Sequence, residues 1–130
     1  MRWFHARRLI RAIGRGDIAT VRKLIATDHT LVDVGTRTSY PLAAAALTGQ
    51  VEIAQLLIEN GADVNLTPRD GGWSALHCTA MHDHSNIAEL LLRHGAKLNY
   101  SSDGDTAMSI AKLYQSANVM AVLMQYGARG

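Results

Sequence analysis

Three histidines, one cysteine and one aspartate fall within eight residues, His77-Cys78-Thr79-Ala80-Met81-His82-Asp83-His84. These are the side-chain types that hold zinc or activate a nucleophile. The spacing argues against both. On a helix His77 and His82, five apart, point to different sides, and only Cys78 and His82 share a face at i, i+4. Two ligands do not make a structural zinc site. Ser74, Ser85 and Ser109 fall at helix-cap, turn or repeat-motif positions, whereas hydrolysis needs a nucleophile, a base and an orienting group converging in a pocket. No Gly-x4-Gly-Lys-Ser/Thr run is present to cradle a phosphate. The residues therefore predict neither an enzyme, nor a metal site, nor a cofactor.

The elements around this cluster come from a phrase the chain states three times. Leu56-Leu57-Ile58-Glu59-Asn60-Gly61-Ala62 returns as Leu90-Leu91-Leu92-Arg93-His94-Gly95-Ala96 and as Val122-Leu123-Met124-Gln125-Tyr126-Gly127-Ala128. The glycines are 34 and 32 residues apart, the period of a stacked repeat array. Each copy reads as two short helices. Leu9, Ile10 and Ile13 give one apolar face over residues 7–13. Gly14 and Gly16 then break the helix, and Asp17 caps a second one carrying Ile18, Val21, Leu24 and Ile25. Pro41 opens a helix through Leu47 that Gly49 stops, and Ile53, Leu56 and Leu57 form the buried stripe of the next. Gly61 stands where a left-handed residue ends a helix. The third and fourth copies run Ser74–Gly95 and Thr106–Gly127. Small residues recur in the first helices, namely Ala45, Ala46, Thr79, Ala80 and Ala111, as close helix–helix stacking requires.

Tyr40-Pro41-Leu42-Ala43-Ala44-Ala45-Ala46, Gly49-Gln50-Val51-Glu52-Ile53-Ala54 and Gly61-Ala62-Asp63-Val64-Asn65 together resemble an ankyrin repeat. Gly72-Trp73-Ser74-Ala75-Leu76-His77 and Gly95-Ala96-Lys97-Leu98-Asn99 resemble it in register. The resemblance covers about residues 9–128. It implies an all-α solenoid of stacked antiparallel helix pairs with hairpin-like loops, a single domain of four repeats at approximately 6–35, 36–68, 69–101 and 102–130. The first and last copies are degenerate. Tyr40 replaces the family's helix-capping Thr, so that helix start loses a side-chain acceptor. The 65–74 loop is one residue longer than the pattern and the 99–106 loop one shorter. The sequons Asn65-Leu66-Thr67 and Asn99-Tyr100-Ser101 reflect the repeat's own Asn, which bonds loop backbone. Arg15-Gly16-Asp17 spells an adhesion tripeptide, but Asp17 already caps a helix.

The resemblance also implies where partners bind, at the hairpin tips and first-helix ends. Carried over by position, the candidates are Arg37, Ser39, Leu47 and Thr48; Trp73, Met81 and His82; and Asp105, Leu113 and Tyr114. Leu47, Trp73, Met81 and Tyr114 are apolar or aromatic without being needed for the stack, and Tyr and Trp commonly anchor interfaces. The alternatives are that Trp73 lies along its own hairpin and that Leu47 fills the gap between neighbouring helices. The expected function is a non-catalytic module binding a protein partner through this concave face, for example as an inhibitor or immunity-type partner of a toxin or effector.

Composition supports a packed domain, with 48% hydrophobic residues but only 5% aromatic, so the core is aliphatic. Cys78 is the sole cysteine, which excludes an internal disulfide. No apolar run is long enough to span a bilayer and the start lacks a secretory signal's apolar stretch, so a cytoplasmic location without membrane contact is expected. Residues 1–35 hold seven Lys/Arg against three Asp/Glu, and the remainder six against eight. Arg2, Arg7, Arg8, Arg11 and Arg15 therefore offer a second reading, a nucleic-acid or acidic-surface binder. It ranks behind the first because no aromatic residues beyond Trp3 and Phe4 interleave with the arginines. The last helix, with Val119, Met120, Val122, Leu123 and Met124, is apolar around most of its circumference. It and the N-terminal end could support self-association.

Overall fold

The computed structural model describes residues 2–36, 39–68 and 72–128. Eight α-helices alternate with short loops: α1 (Arg2–Gly14), α2 (Ile18–Thr27), α3 (Pro41–Thr48), α4 (Val51–Glu59), α5 (Ala75–Met81), α6 (Ser85–Arg93), α7 (Ala107–Leu113) and α8 (Ala117–Gln125). A 3-10 turn, His29–Asp33, follows α2. The first helices of successive pairs pack on one another as α1, α3, α5, α7. The second helices form a parallel row, α2, α4, α6, α8.

The second row is held by one repeated pair of side chains. Val21 and Ile25, Ile53 and Leu57, Ile87 and Leu91, Val119 and Leu123 all sit at i, i+4 and all are buried. Each such side chain contributes roughly 1.5–3 kcal/mol by leaving water. Leu56, expected in the buried stripe, is only half-buried, whereas Ala54 is fully buried. In the first row Ala45, Ala46, Thr79, Ala80 and Ala111 are all buried, and their small volume lets the helices approach.

The recurring glycines close the second helices by one hydrogen-bond pattern. Gly61 has φ +92, its N–H donates to Ile58 C=O, and the Ala62 N–H donates to Leu57 C=O, both at 3.0 Å. That is the left-handed helix stop in which two orphan carbonyls find donors. Gly95 and Gly127 repeat it through Ala96 to Leu91 and Ala128 to Leu123.

Polar side chains tie each loop to the next copy. The Asp33 carboxylate accepts the Asp63 N–H at 2.9 Å. Asn65 donates its amide to Gly95 C=O at 3.0 Å and accepts the Lys97 N–H at 2.8 Å. The sequon asparagine thus bonds loop backbone, as its repeat position predicts. Asn65→Ala should remove both bonds and lower stability by about 1–2 kcal/mol in urea denaturation; an unchanged midpoint would show that water replaces them at no cost.

The N-terminal helix is longer than its apolar spacing predicts. It begins at Arg2 rather than residue 7, and Trp3 and Phe4 ride on its outer side. They do not fold back over the first pair. In the 99–106 loop Ser102 and Asp105 exchange backbone hydrogen bonds across Asp103 (φ 50) and Gly104 (φ 86). Two positive φ values make this the tight hairpin turn that Asp-Gly favours. Among the described residues, no helix is long and apolar enough to cross a membrane.

Candidate functional site

The first helices α3, α5 and α7 end in the same register. Each is followed by a residue in left-handed conformation, Gly49 (φ 74), Asp83 (φ 60) and Gln115 (φ 57). The chain reverses there, and the last side chains before each reversal have no second helix to cover them. Leu47 is 39% exposed, Met81 half-buried, and Leu113 75% exposed. Thr48, His82 and Tyr114 follow them and are also exposed. The Thr48 hydroxyl donates back to Ala44 C=O at 2.7 Å, so it presents mainly its methyl group. Leu47, Met81 and Leu113 therefore occupy equivalent places on three helices packed side by side, with Tyr114 at one end. Leu47 is not absorbed by the gap between neighbouring helices.

The hairpin side is more constrained. Arg37 lies outside the described residues, as do positions 69–71 of the 65–74 loop and the side chain of Arg2. Ser39 is half-buried and held in a turn, its N–H donating to Thr36 Oγ1 at 3.1 Å and its C=O accepting the Thr36 N–H at 2.8 Å. Trp73 is half-buried and stacks on the His77 ring, centroids 6.3 Å apart at 24°. Its carbonyl accepts the buried Tyr40 hydroxyl at 3.2 Å. Trp73 thus lies along its own repeat and has less free surface than Tyr114. Asp105 keeps an exposed carboxylate while its backbone is fully engaged.

His77 joins two copies of the repeat. Its Nδ1 accepts the Ser74 hydroxyl at 2.7 Å, and its Nε2–H donates to Asp105 C=O at 2.9 Å. A carbonyl only accepts, so the proton must sit on Nε2 and Nδ1 is left as the acceptor. Tyr100 closes the far side, edge-on at 5.5 Å. Burial holds the imidazole below its ordinary pKa, an effect the Asp105 carbonyl partly opposes. A serine on a histidine resembles a nucleophile with its base, but Ser74 and His77 are both buried with no room for a substrate. Ser74 donates to the ring instead of accepting a backbone N–H at the start of α5.

The rest of the His/Cys cluster disperses. Burial pushes the Cys78 thiol up to about 12, so it carries almost no thiolate at neutral pH. The His84 ring lies over Gly49. The Asp83 carboxylate accepts the Val119 N–H at 2.8 Å and the Asn118 amide at 2.9 Å. Among the described residues no three or more His, Cys, Asp or Glu side chains are grouped to hold a metal ion. The Tyr40 start of α3 has no side-chain cap, as its residue type predicts. Arg7, Arg8, Arg11 and Arg15 of the second sequence reading gather with Trp3 and Phe4 into a basic-aromatic groove on α1. Together they line a hollow of about 330 Å³, and their 3–4 residue spacing was the available signal.

Comparison with known proteins agrees with this architecture. Residues 42–92 match a model of ankyrin repeats in many copies. The chain is 32% identical over 107 residues to ankyrin repeat and SAM domain-containing protein 6 of Rattus norvegicus, covering 81% of this chain and 12% of that protein. It is 40% identical over 90 residues to the ankyrin repeat and LEM domain-containing protein 1 homolog of Caenorhabditis elegans, covering 68% of this chain and 12% of that protein. It is 38% identical over 63 residues to the human Notch-regulated ankyrin repeat-containing protein, covering 48% and 52%. The chain thus spans about an eighth of the length of the first two relatives, and the correspondence lies in the repeats.

Proposed function

This chain is an ankyrin-repeat protein, and on that premise we propose that it is a non-catalytic module that binds a protein through the ends of its first helices. Repeats of this family generally mediate protein–protein interaction and are generally non-catalytic. The unit is taken as one domain of four repeats, approximately 6–35, 36–68, 69–101 and 102–130.

One observation carries the reading. Leu47, Met81 and Leu113 form an apolar row on three rigid helices, and Leu113 and Tyr114 are largely exposed although nothing in the core needs them outside. Thr48 and His82 border the row with polar groups, and Asp105 offers an exposed carboxylate at the hairpin end of α7. Ser39 and Trp73 belong to the hairpins at the other end of the first helices, and Arg37, outside the described residues, is kept as a candidate from its sequence position alone. A preformed surface loses little conformational entropy on binding, which suits an inhibitor or immunity-type partner that occludes a surface on a toxin or effector.

The test begins with a partner recovered from the native host by pull-down and identified by mass. Its affinity is then measured against Leu113→Asp and Tyr114→Ala. Both side chains are exposed, so helicity and melting temperature should stay unchanged while affinity falls at least tenfold, about 1.4 kcal/mol. Binding that survives both changes would place the interface elsewhere.

A further inference from the structure

The outer side of α1 is a second surface, built differently from the apolar row. Ala6, Leu9, Ala12 and Ile13 are buried against α2 and α3. At 100° per residue, Trp3, Phe4, Arg7, Arg8 and Arg11 then occupy one outward arc of about 140°. Arg15, just past the helix, continues that arc. Trp3 and Phe4 are 66% and 61% exposed.

Among the described residues these arginines have no acid at ion-pair distance; Arg7 lies over Trp3, and Arg15 and Arg8 act on the Asp17 carboxylate from farther away. Arg93–Glu89 is the ion pair seen there. The nearest acid, Asp17, has a task of its own. Its carboxylate takes the Thr20 hydroxyl at 2.7 Å and the Thr20 N–H at 3.2 Å. Arg7 and Arg11, and Arg11 and Arg15, stand at i, i+4, where like charges repel. The groove of about 330 Å³ they line with Trp3 and Phe4 has guanidinium groups as its charged lining and aromatic rings at one end. One face of Trp3 is already covered by the Arg7 guanidinium, 4.9 Å from the ring centre.

The geometry points to α1 as a docking face for an acidic protein segment, an extended stretch of carboxylates with one apolar or aromatic side chain at the Trp3–Phe4 end. The arc from Trp3 to Arg15 is about 18 Å long, the reach of roughly five or six extended residues. Guanidinium groups bind carboxylates through paired N–H donors. A nucleic-acid strand fits less well, because stacking surfaces must accompany the phosphate contacts along the strand and both rings sit at one end. A membrane fits less well because the apolar side of α1 is committed to the stack. Another repeat stacked here would bury four unpaired cations, which costs far more than it returns.

The experiment uses the full chain and a fluorescein-labelled peptide of one phenylalanine followed by five glutamates, read by anisotropy. A matched peptide of five glutamines, an eight-nucleotide oligothymidine and phosphatidylserine vesicles are run beside it. The expected result is saturable binding of the acidic peptide, at least tenfold tighter than the glutamine peptide and weakening with salt. Arg8→Gln with Arg11→Gln should weaken it tenfold or more at an unchanged melting temperature, and Trp3→Ala should weaken it as well by removing the ring that receives the phenylalanine. Leu113→Asp should leave it intact, which separates this face from the apolar row. The proposal is overturned if the two peptides bind alike, if neither binds, or if oligothymidine or vesicles bind more tightly than the acidic peptide.

Discussion

A His77→Ala variant is expected to lose about 3 kcal/mol of folding stability, measured as the shift in urea unfolding at neutral pH. Three contributions add in the same direction. Truncating a buried ring leaves a cavity between Trp73 and Tyr100, at a cost near that of other aromatic truncations, roughly 3 kcal/mol or more. The Ser74 hydroxyl and the Asp105 carbonyl lose their shared partner, and each unsatisfied group costs about 1–3 kcal/mol unless it relaxes. Rotation of the Ser74 hydroxyl and entry of water into the gap offset part of this sum. His77→Gln keeps a donor for Asp105 and should lose less. If His77→Ala unfolds at the wild-type midpoint, the ring is not the link between the third and fourth copies that its bonds describe.

The same ring gives the fold a pH dependence whose sign follows from its burial. The folded pKa lies below the ordinary value of 6.5, so between the two values the unfolded chain binds the extra proton. Stability from this residue is complete above about pH 6.5. It declines as pH falls toward the folded pKa and changes no further below it. In His77→Gln the unfolding midpoint should fall less between pH 7 and pH 5 than in wild type. Asp17, whose bonds to Thr20 hold its carboxyl below 3.8, acts in a separate and more acidic window.

How much of this could be read from residues alone depended on whether the signal was periodic. The i, i+4 pairs such as Ile53 with Leu57, the small residues of the first helices and the Gly61 stop repeat at fixed spacing, so the stack was legible. So was the Asp17 cap, confirmed by the Thr20 bonds. What was not legible depends on particular side-chain contacts, some within a copy and some between copies. The stacking of Trp73 on His77 turns one expected anchor into a half-buried support. The Asp105 backbone is recruited across 28 residues, which no local spacing reveals. Trp3 and Phe4 were ambiguous because the helical pattern of residues 7–13 has no N-terminal cap signal. Only the continuous backbone of α1 carries them outward. The Asp103-Gly104 hairpin was a readable local signal that the loop-length comparison obscured.

Gly49→Ala is expected to cost about 3 kcal/mol, and Gly61→Ala only about half as much. Both glycines have positive φ, +74 and +92, and the left-handed conformation costs an ordinary residue about 1–2 kcal/mol. They differ in their surroundings. Beside Gly61 a Cβ would meet nothing within 4 Å, whereas at Gly49 it would lie 2.6 Å from the His84 ring. Displacing that ring adds a packing penalty of roughly 1–3 kcal/mol. The remaining copies show the same exchange of volume. Gly16 lies under Gln50, whose amide would be 3.1 Å from a Cβ. In the third copy Asp83 takes the left-handed place, and the position of His84 is filled in the next copy by the short Ser116, which donates to Ala80 C=O at 2.5 Å. A long side chain thus follows a glycine, and a short one follows a residue that has a side chain. Gly49→Ala combined with His84→Ser should therefore be more stable than the sum of the two single changes predicts, by about 1–2 kcal/mol in a double-mutant cycle. Strict additivity would show that His84 already moves freely over Gly49 and that the glycine is required by its backbone angle alone.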